Sequence, residues 1–63
     1  MNSLTDEQRD ATDAMHREAI RTTAHFLIFR LGIPVDRAHR LAFHQINLGR
    51  EILNLPQLEW PPR

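Results

Sequence analysis

Residues 26–35 read FLIFRLGIPV, and they contain the end of one predicted helix, a short link and the start of a second. Gly32 is suited to the left-handed conformation that ends many helices. Pro34 favours the first position of a helix, and Asp36 follows within its first turn. Because the link is only two residues long, the sequence predicts an antiparallel α-helical hairpin. A sharper crossing, as in a helix-turn-helix domain, is the competing arrangement.

The outer ends of the two predicted helices are also visible in the sequence. Helix 1 is predicted at about 5–31, because Thr5 and Gln8 have the spacing of a capping box. Helix 2 is predicted at about 34–53 and is expected to end at Asn54 and Pro56. The whole chain, 1–63, is expected to form a single domain.

Residues 54–63 contain three prolines and predict an extended C-terminal tail. The tail carries three apolar side chains that favour burial: Leu55, Leu58 and Trp60. Because helix 1 is longer than helix 2, the tail emerges beside the start of helix 1. We expect it to pack there, on Leu4, Ala11 and Met15 of its own subunit or of its partner.

Composition limits the classes of protein to consider. A chain of 63 residues buries only ~60% of the surface that its unfolded form exposes, so a hairpin of this size needs further stabilisation. The absence of cysteine excludes disulfides and thiolate zinc sites, which leaves association as the general remedy. Eight basic and eight acidic residues give zero net charge, which disfavours nucleic-acid binding. With no signal-peptide pattern and no long apolar run, we expect a soluble cytoplasmic protein without a membrane partner.

The apolar residues 26–29 predict self-association. Successive residues step ~100° around a helix, so these four side chains point in all directions, and one neighbouring helix cannot cover them. A second copy would cover them, giving a homodimeric four-helix bundle. The expected dimer or partner interface consists of Ala24, Phe26, Leu27, Ile28, Phe29, Leu31, Ala38, Leu41, Ala42 and Gly49.

Helix 2 is expected to have one polar and one apolar stripe. The polar stripe consists of Arg37, Arg40, His44, Asn47, Glu51 and Asn54. The apolar seam consists of Val35, Ala38, Ala42, Ile46, Gly49 and Leu53. A packing reason is expected for Gly49, since glycine costs up to ~1 kcal/mol in a helix interior.

The sequence contains no strong pattern of catalytic or metal-binding residues. The four histidines at positions 16, 25, 39 and 44 lack the i, i+4 spacing of helical metal pairs, although His25 is expected to approach His39 or His44 across the hairpin. Ser3 is the only serine and lies near the terminus. We therefore expect no metal, no cofactor and no enzymatic activity.

Two functions fit such a hairpin. The leading hypothesis is a non-enzymatic, homodimeric inhibitor or adaptor that binds another protein, by analogy with compact phage-encoded inhibitors of host factors. The alternative is a dimeric helix-turn-helix-like transcriptional regulator whose Arg37 and Arg40 read the major groove of DNA. The residues expected to contact a partner or DNA are Arg37, Arg40, His44 and Trp60.

Overall fold

The structure, a computed structural model, describes residues 4–59 and consists of two helices and an extended segment. Helix α1 spans Asp6–Leu31, and helix α2 spans Val35–Ile52. The helices pack against each other, and an ion pair joins Asp13, near the start of α1, to Arg50, near the end of α2. They therefore run in opposite directions. Residues 4–59 contain no strand, and neither helix is long and apolar enough to cross a membrane. The predicted pair of packed helices is confirmed.

Local hydrogen bonds determine both ends of α1. The Thr5 hydroxyl accepts a hydrogen bond from the Gln8 amide at 3.1 Å, and the Gln8 side chain accepts one from the Thr5 amide at 2.9 Å. This is the predicted capping box, and it satisfies two amides that the helix itself cannot. At the other end Gly32 has φ 68° and ψ 24°, and its amide donates to Ile28 O at 3.1 Å. Both predicted signals are confirmed.

The ends of α2 use backbone geometry rather than capping side chains. Pro34 was predicted as the first helical residue, but its extended ψ of 146° makes it the N-cap residue instead. Its carbonyl accepts the Ala38 amide at 2.9 Å. After Ile52, Asn54 adopts φ 60°, and the Leu55 amide donates to Arg50 O at 2.9 Å. This Schellman-type ending reverses the chain and directs the following segment back along the hairpin.

Small side chains form the centre of the helix–helix contact. Ala24, Ala38 and Ala42 are fully buried, Ile20 lies beside them, and Leu55 is also buried. Alanines at these positions let the two helices approach closely. A second layer of partly buried apolar residues packs around this centre: Leu27, Ile28, Ile33, Phe43, Ile46 and Leu58.

The buried face of α2 differs from the predicted seam. Ala38, Ala42 and Ile46 pack as predicted, but Val35 and Leu53 are exposed. Gly49 is exposed too, and a Cβ added there would meet no atom within 4 Å, so no packing within the hairpin requires this glycine.

Two polar residues of α2 take part in this face instead. Asn47, predicted on the solvent stripe, is partly buried, and Arg50 is buried. The physical reason is that the segment after α2 returns over one side of the helix and covers the residues there.

The C-terminal segment, residues 55–59, does not follow the path predicted within its own subunit, and packing on a partner's helix stays a prediction. Met15 is 61% exposed and Ala11 is exposed, so the segment does not cover the start of α1 at these positions. It follows the groove beside Asn47 and Arg50, where polar groups bind its backbone. Trp60, Pro61 and Pro62 lie outside the described residues.

Candidate protein-interaction surfaces

A buried arginine joins all three parts of the chain. The Arg50 side chain is 2% exposed, and its Nε donates to Pro56 O at 2.7 Å. One terminal nitrogen donates to Asp13 Oδ1 at 2.8 Å and approaches His16 Nδ1 at 2.9 Å. Because a guanidinium can only donate, His16 Nδ1 accepts, and the proton of the neutral ring is on Nε2. Arg50 therefore binds α1 and the C-terminal segment to α2.

Asn47 holds the C-terminal segment by a two-bond clamp. Its Nδ2 donates to Leu58 O at 2.9 Å, and its Oδ1 accepts the Leu58 amide at 2.8 Å. The Leu58 side chain meanwhile packs against the hydrophobic core. One side of the helical pair is thus covered by the chain itself.

Apolar residues on other parts of both helices are exposed. On α1, Phe29 is 78% exposed, Met15 61% and Phe26 55%. On α2, Ile52 is 83% exposed, Leu48 47% and Leu41 40%. The prediction that a lone hairpin leaves part of the 26–29 run in water is confirmed, since Phe26 and Phe29 are exposed while Leu27 and Ile28 pack on the core.

These exposed residues belong to two series with alternating spacings of four and three, in which every member is exposed except the partly buried Ala19. On α1 this series is Met15, Ala19, Thr22, Phe26 and Phe29, and on α2 it is Leu41, Gln45, Leu48 and Ile52. Alternating three- and four-residue spacing is typical of the contact seam in coiled coils and helical bundles. We call these nine residues the open face.

Helical geometry places both series on the same side of the hairpin. Seen from one end, residues advance clockwise along α1 and counter-clockwise along the antiparallel α2. Phe26 lies ~120° counter-clockwise from the buried Ile20, and Leu41 lies ~140° clockwise from Ile46, so both turn to one side. Asn47, one residue after Ile46, lies ~100° counter-clockwise from it and therefore faces the opposite side of the hairpin. The open face therefore lies opposite the side that the C-terminal segment covers.

The turn end of the hairpin is basic. Arg30, Arg37 and Arg40 are exposed there. An open depression at the start of α2 is lined by Pro34, Asp36, Arg37 and Arg40. Within residues 4–59, neither Arg37 nor Arg40 has an ion-pair partner. Leu31, 60% exposed, and Val35, 56% exposed, add apolar surface beside these guanidinium groups. We call this surface the basic end.

The structure divides the predicted interface residues into two groups. Ala24, Ala38 and Ala42 cannot contact another molecule, because they are buried between the chain's own helices. Their small side chains serve the contact between those two helices. Leu27 and Ile28 are partly buried against the same core. The remaining residues of that set are exposed: Phe26, Phe29, Leu31, Leu41 and Gly49. His44, expected to contact a partner, is exposed on α2.

Met15, Leu48 and Ile52 belong to the open face but were not among the predicted interface residues. The four-three spacing that connects them to Phe26 and Leu41 is present in the sequence. It was not sufficient alone, because the same spacing also describes a buried seam. Only the position of the C-terminal segment shows which stripe remains uncovered.

Three of the four histidines make contacts with residues of other types. The His25 ring makes an edge contact with Phe29 at 5.9 Å between centroids. His39 Nδ1 lies 2.9 Å from Val35 O, to which it donates. Among residues 4–59, no group of three or more His, Cys, Asp or Glu is arranged to hold a metal ion.

Comparison with protein-family models, with curated proteins and with solved structures found no match for this chain.

Proposed function

We propose that this chain is a non-enzymatic protein-binding module that acts as a homodimer, as an inhibitor or adaptor of another protein. The observation that carries the proposal is the amount of large apolar surface left exposed on an otherwise well-capped hairpin. Large exposed apolar patches in folded proteins mark interaction sites. Two separate surfaces, the open face and the basic end, provide room for self-association and for a foreign partner.

The basic end has the chemistry to bind an acidic protein surface. Arginine is enriched among residues that dominate binding energy, and its fork geometry matches carboxylates. Arg37 and Arg40 are exposed and lie one turn apart, and neither has an ion pair with another described residue that would have to break before binding. Leu31 and Val35 supply the apolar contact that such anchors need around them.

The experiment that tests partner binding compares charge-reversed variants of the full chain. Arg37→Glu with Arg40→Glu reverses the basic end, and Arg9→Glu with Arg17→Glu is the matched control on exposed residues of α1. Each immobilised protein captures ligands from a lysate of cells that express the gene, and every captured protein is then purified and titrated. We expect an acidic protein whose dissociation constant rises at least ~10-fold for the Arg37/Arg40 variant, while the control binds normally.

A captured protein that binds the Arg37/Arg40 variant as tightly as the natural chain would contradict this role of the basic end. Capture of nucleic acid alone, released by nuclease, would instead favour the second function.

The second function is that of a dimeric DNA-binding regulator, and the same two exposed arginines favour it. Arginines near the start of a helix can pair with guanine in the major groove. It predicts binding to duplex DNA that weakens steeply with salt and is lost in Arg37→Ala with Arg40→Ala. Fluorescence anisotropy with labelled random-sequence duplex at low salt measures this, and the absence of binding there excludes it.

A further inference from the structure

We propose that the open face binds a second copy of this chain, with the two hairpins antiparallel, so that the turn of each lies over the free end of the other. This proposal rests on the homodimer of the proposed function and adds the surface and the orientation. Three features favour a second copy as the occupant of the open face. They are the spacing of its residues, the exposed area and the distribution of charge.

The spacing of the open face suits a helical partner of the same kind. Both helices present a four-three series, and none of the nine residues carries a charge. An uncharged seam of large side chains alternating with Ala19, Thr22 and Gln45 can interdigitate with an identical seam. A two-fold symmetric contact requires such a self-complementary patch.

The exposed area has the size that a dimer of this chain needs. A compact folded protein of 7.4 kDa exposes roughly 4,200 Å². The whole chain exposes 5099 Å². The excess, roughly 900 Å², is similar to the ~800 Å² that each partner buries in a standard interface.

Charge is distributed unevenly along the hairpin. In the half nearest the turn, residues 22–45, Arg30, Arg37 and Arg40 stand against Asp36. In the other half, residues 4–21 and 46–59, seven acidic residues outnumber four arginines. A parallel dimer would bring like-charged ends together, whereas an antiparallel dimer places each basic end beside an acidic one. Charge complementarity therefore selects the antiparallel arrangement.

In this arrangement α1 lies over α1 of the second copy, and α2 lies over α2. The side covered by the C-terminal segment faces away from the contact. Arg40 lies ~100° around α2 from Leu41 and turns away from the open face, whereas Arg37, one turn before Leu41, lies at its edge. Because both arginines belong to the first two turns of α2, the two basic ends lie at opposite ends of the bundle.

The first test measures the mass of the protein in solution by light scattering after gel filtration. The natural chain is expected to be a dimer, and Phe26→Glu or Ile52→Glu is expected to raise the dimer dissociation constant at least ~10-fold by placing a charge in the apolar contact. Ala14→Glu is the matched control, because Ala14 is an exposed α1 residue outside the open face. It is expected to remain dimeric.

The second test measures orientation and leaves the open face unchanged, so it does not depend on the folding of those variants. The chain has no cysteine, so Arg30→Cys and Glu7→Cys each provide one site for a spin label. In the antiparallel dimer each pair of identical labels is expected to be more than ~25 Å apart, since residues 7 and 30 are separated by ~35 Å along α1.

The outcomes separate the two proposals. A monomeric natural chain overturns both the homodimer and this inference. A dimer that persists unchanged in Phe26→Glu and Ile52→Glu overturns the open face as the contact but leaves the homodimer standing. A dimer in which both label pairs are closer than ~20 Å overturns the antiparallel orientation alone.

Discussion

At the scale of single residues, Arg50 is the most informative side chain in the hairpin. A buried cation is tolerated only if its charge is paired and its donors are satisfied. Arg50 meets both conditions by contacting Asp13, His16 and Pro56 O, and no buried side-chain nitrogen or oxygen among the described residues lacks a hydrogen-bond partner. One residue thus links segments that are far apart in sequence.

Removing the carboxylate partner of Arg50 should destabilise the fold strongly. We expect Asp13→Ala to lower the free energy of unfolding by about 3 kcal/mol, because it leaves a buried cation without its counter-charge. A domain of this length has about 3–9 kcal/mol in total, so the loss is a large part of its stability. Urea denaturation followed by circular dichroism measures it.

Asp10→Ala is the matched control, since Asp10 is exposed on the same helix. It is expected to change stability by less than about 0.5 kcal/mol. Equal stability of the two variants would show that the Arg50–Asp13 pair contributes nothing to the fold.

At the scale of elements, the C-terminal segment acts as a third packing layer without regular structure. It has no helix or strand to satisfy its backbone, so side chains of α2 do so instead. Leu55 and Leu58 then add apolar contact to a helix–helix interface whose centre consists mainly of alanines. The segment also explains why the two sides of the hairpin differ.

Asn47→Ala should release this segment. Two hydrogen bonds to Leu58 are lost, at about 1 kcal/mol each, and the Leu58 amide is no longer protected. Hydrogen exchange followed by NMR should show the Leu58 amide exchanging at least ~10-fold faster while amides in the middle of α1 change less.

His44→Ala, a change of an exposed residue on the same helix, provides the comparison. If Leu58 exchanges equally fast in both variants, Asn47 does not hold the segment.

At the scale of the whole molecule, the core within residues 4–59 is small, and we expect the stability of the fold to depend on association. Within residues 4–59 the fully buried apolar residues of the helix pair are Ala24, Ala38 and Ala42, and alanines contribute little apolar area. Large side chains that normally supply a core, such as Phe26 and Ile52, are outside it. Burying each of them against a second copy would stabilise the assembly by up to about 1.5–3 kcal/mol.

The thermal midpoint of the natural chain should therefore increase with protein concentration. Anything that binds only the folded form raises stability by mass action, and here the ligand is a second copy. Differential scanning calorimetry over a hundredfold range of concentration is the measurement. A midpoint independent of concentration, in a chain that unfolds reversibly, would contradict the coupling of folding to association.

The sequence alone determined the two helices and the turn between them, because the responsible signals are local. The Thr5–Gln8 capping box and the left-handed Gly32 act over three or four residues, so each can be read without knowing the rest of the fold. The excess of apolar residues at 26–29 was equally visible, since it follows from helical periodicity.

Only the tertiary structure decided that Asn47 and Arg50 belong to the covered side of α2. Arg50 meets Asp13 across 37 residues, and Asn47 meets Leu58 across a reversal of the chain, so no local pattern encodes either contact. Both residues look like parts of a polar surface until the C-terminal segment covers them. That segment covers one side of the hairpin, and Met15, Phe26, Leu48 and Ile52 are exposed on the other side.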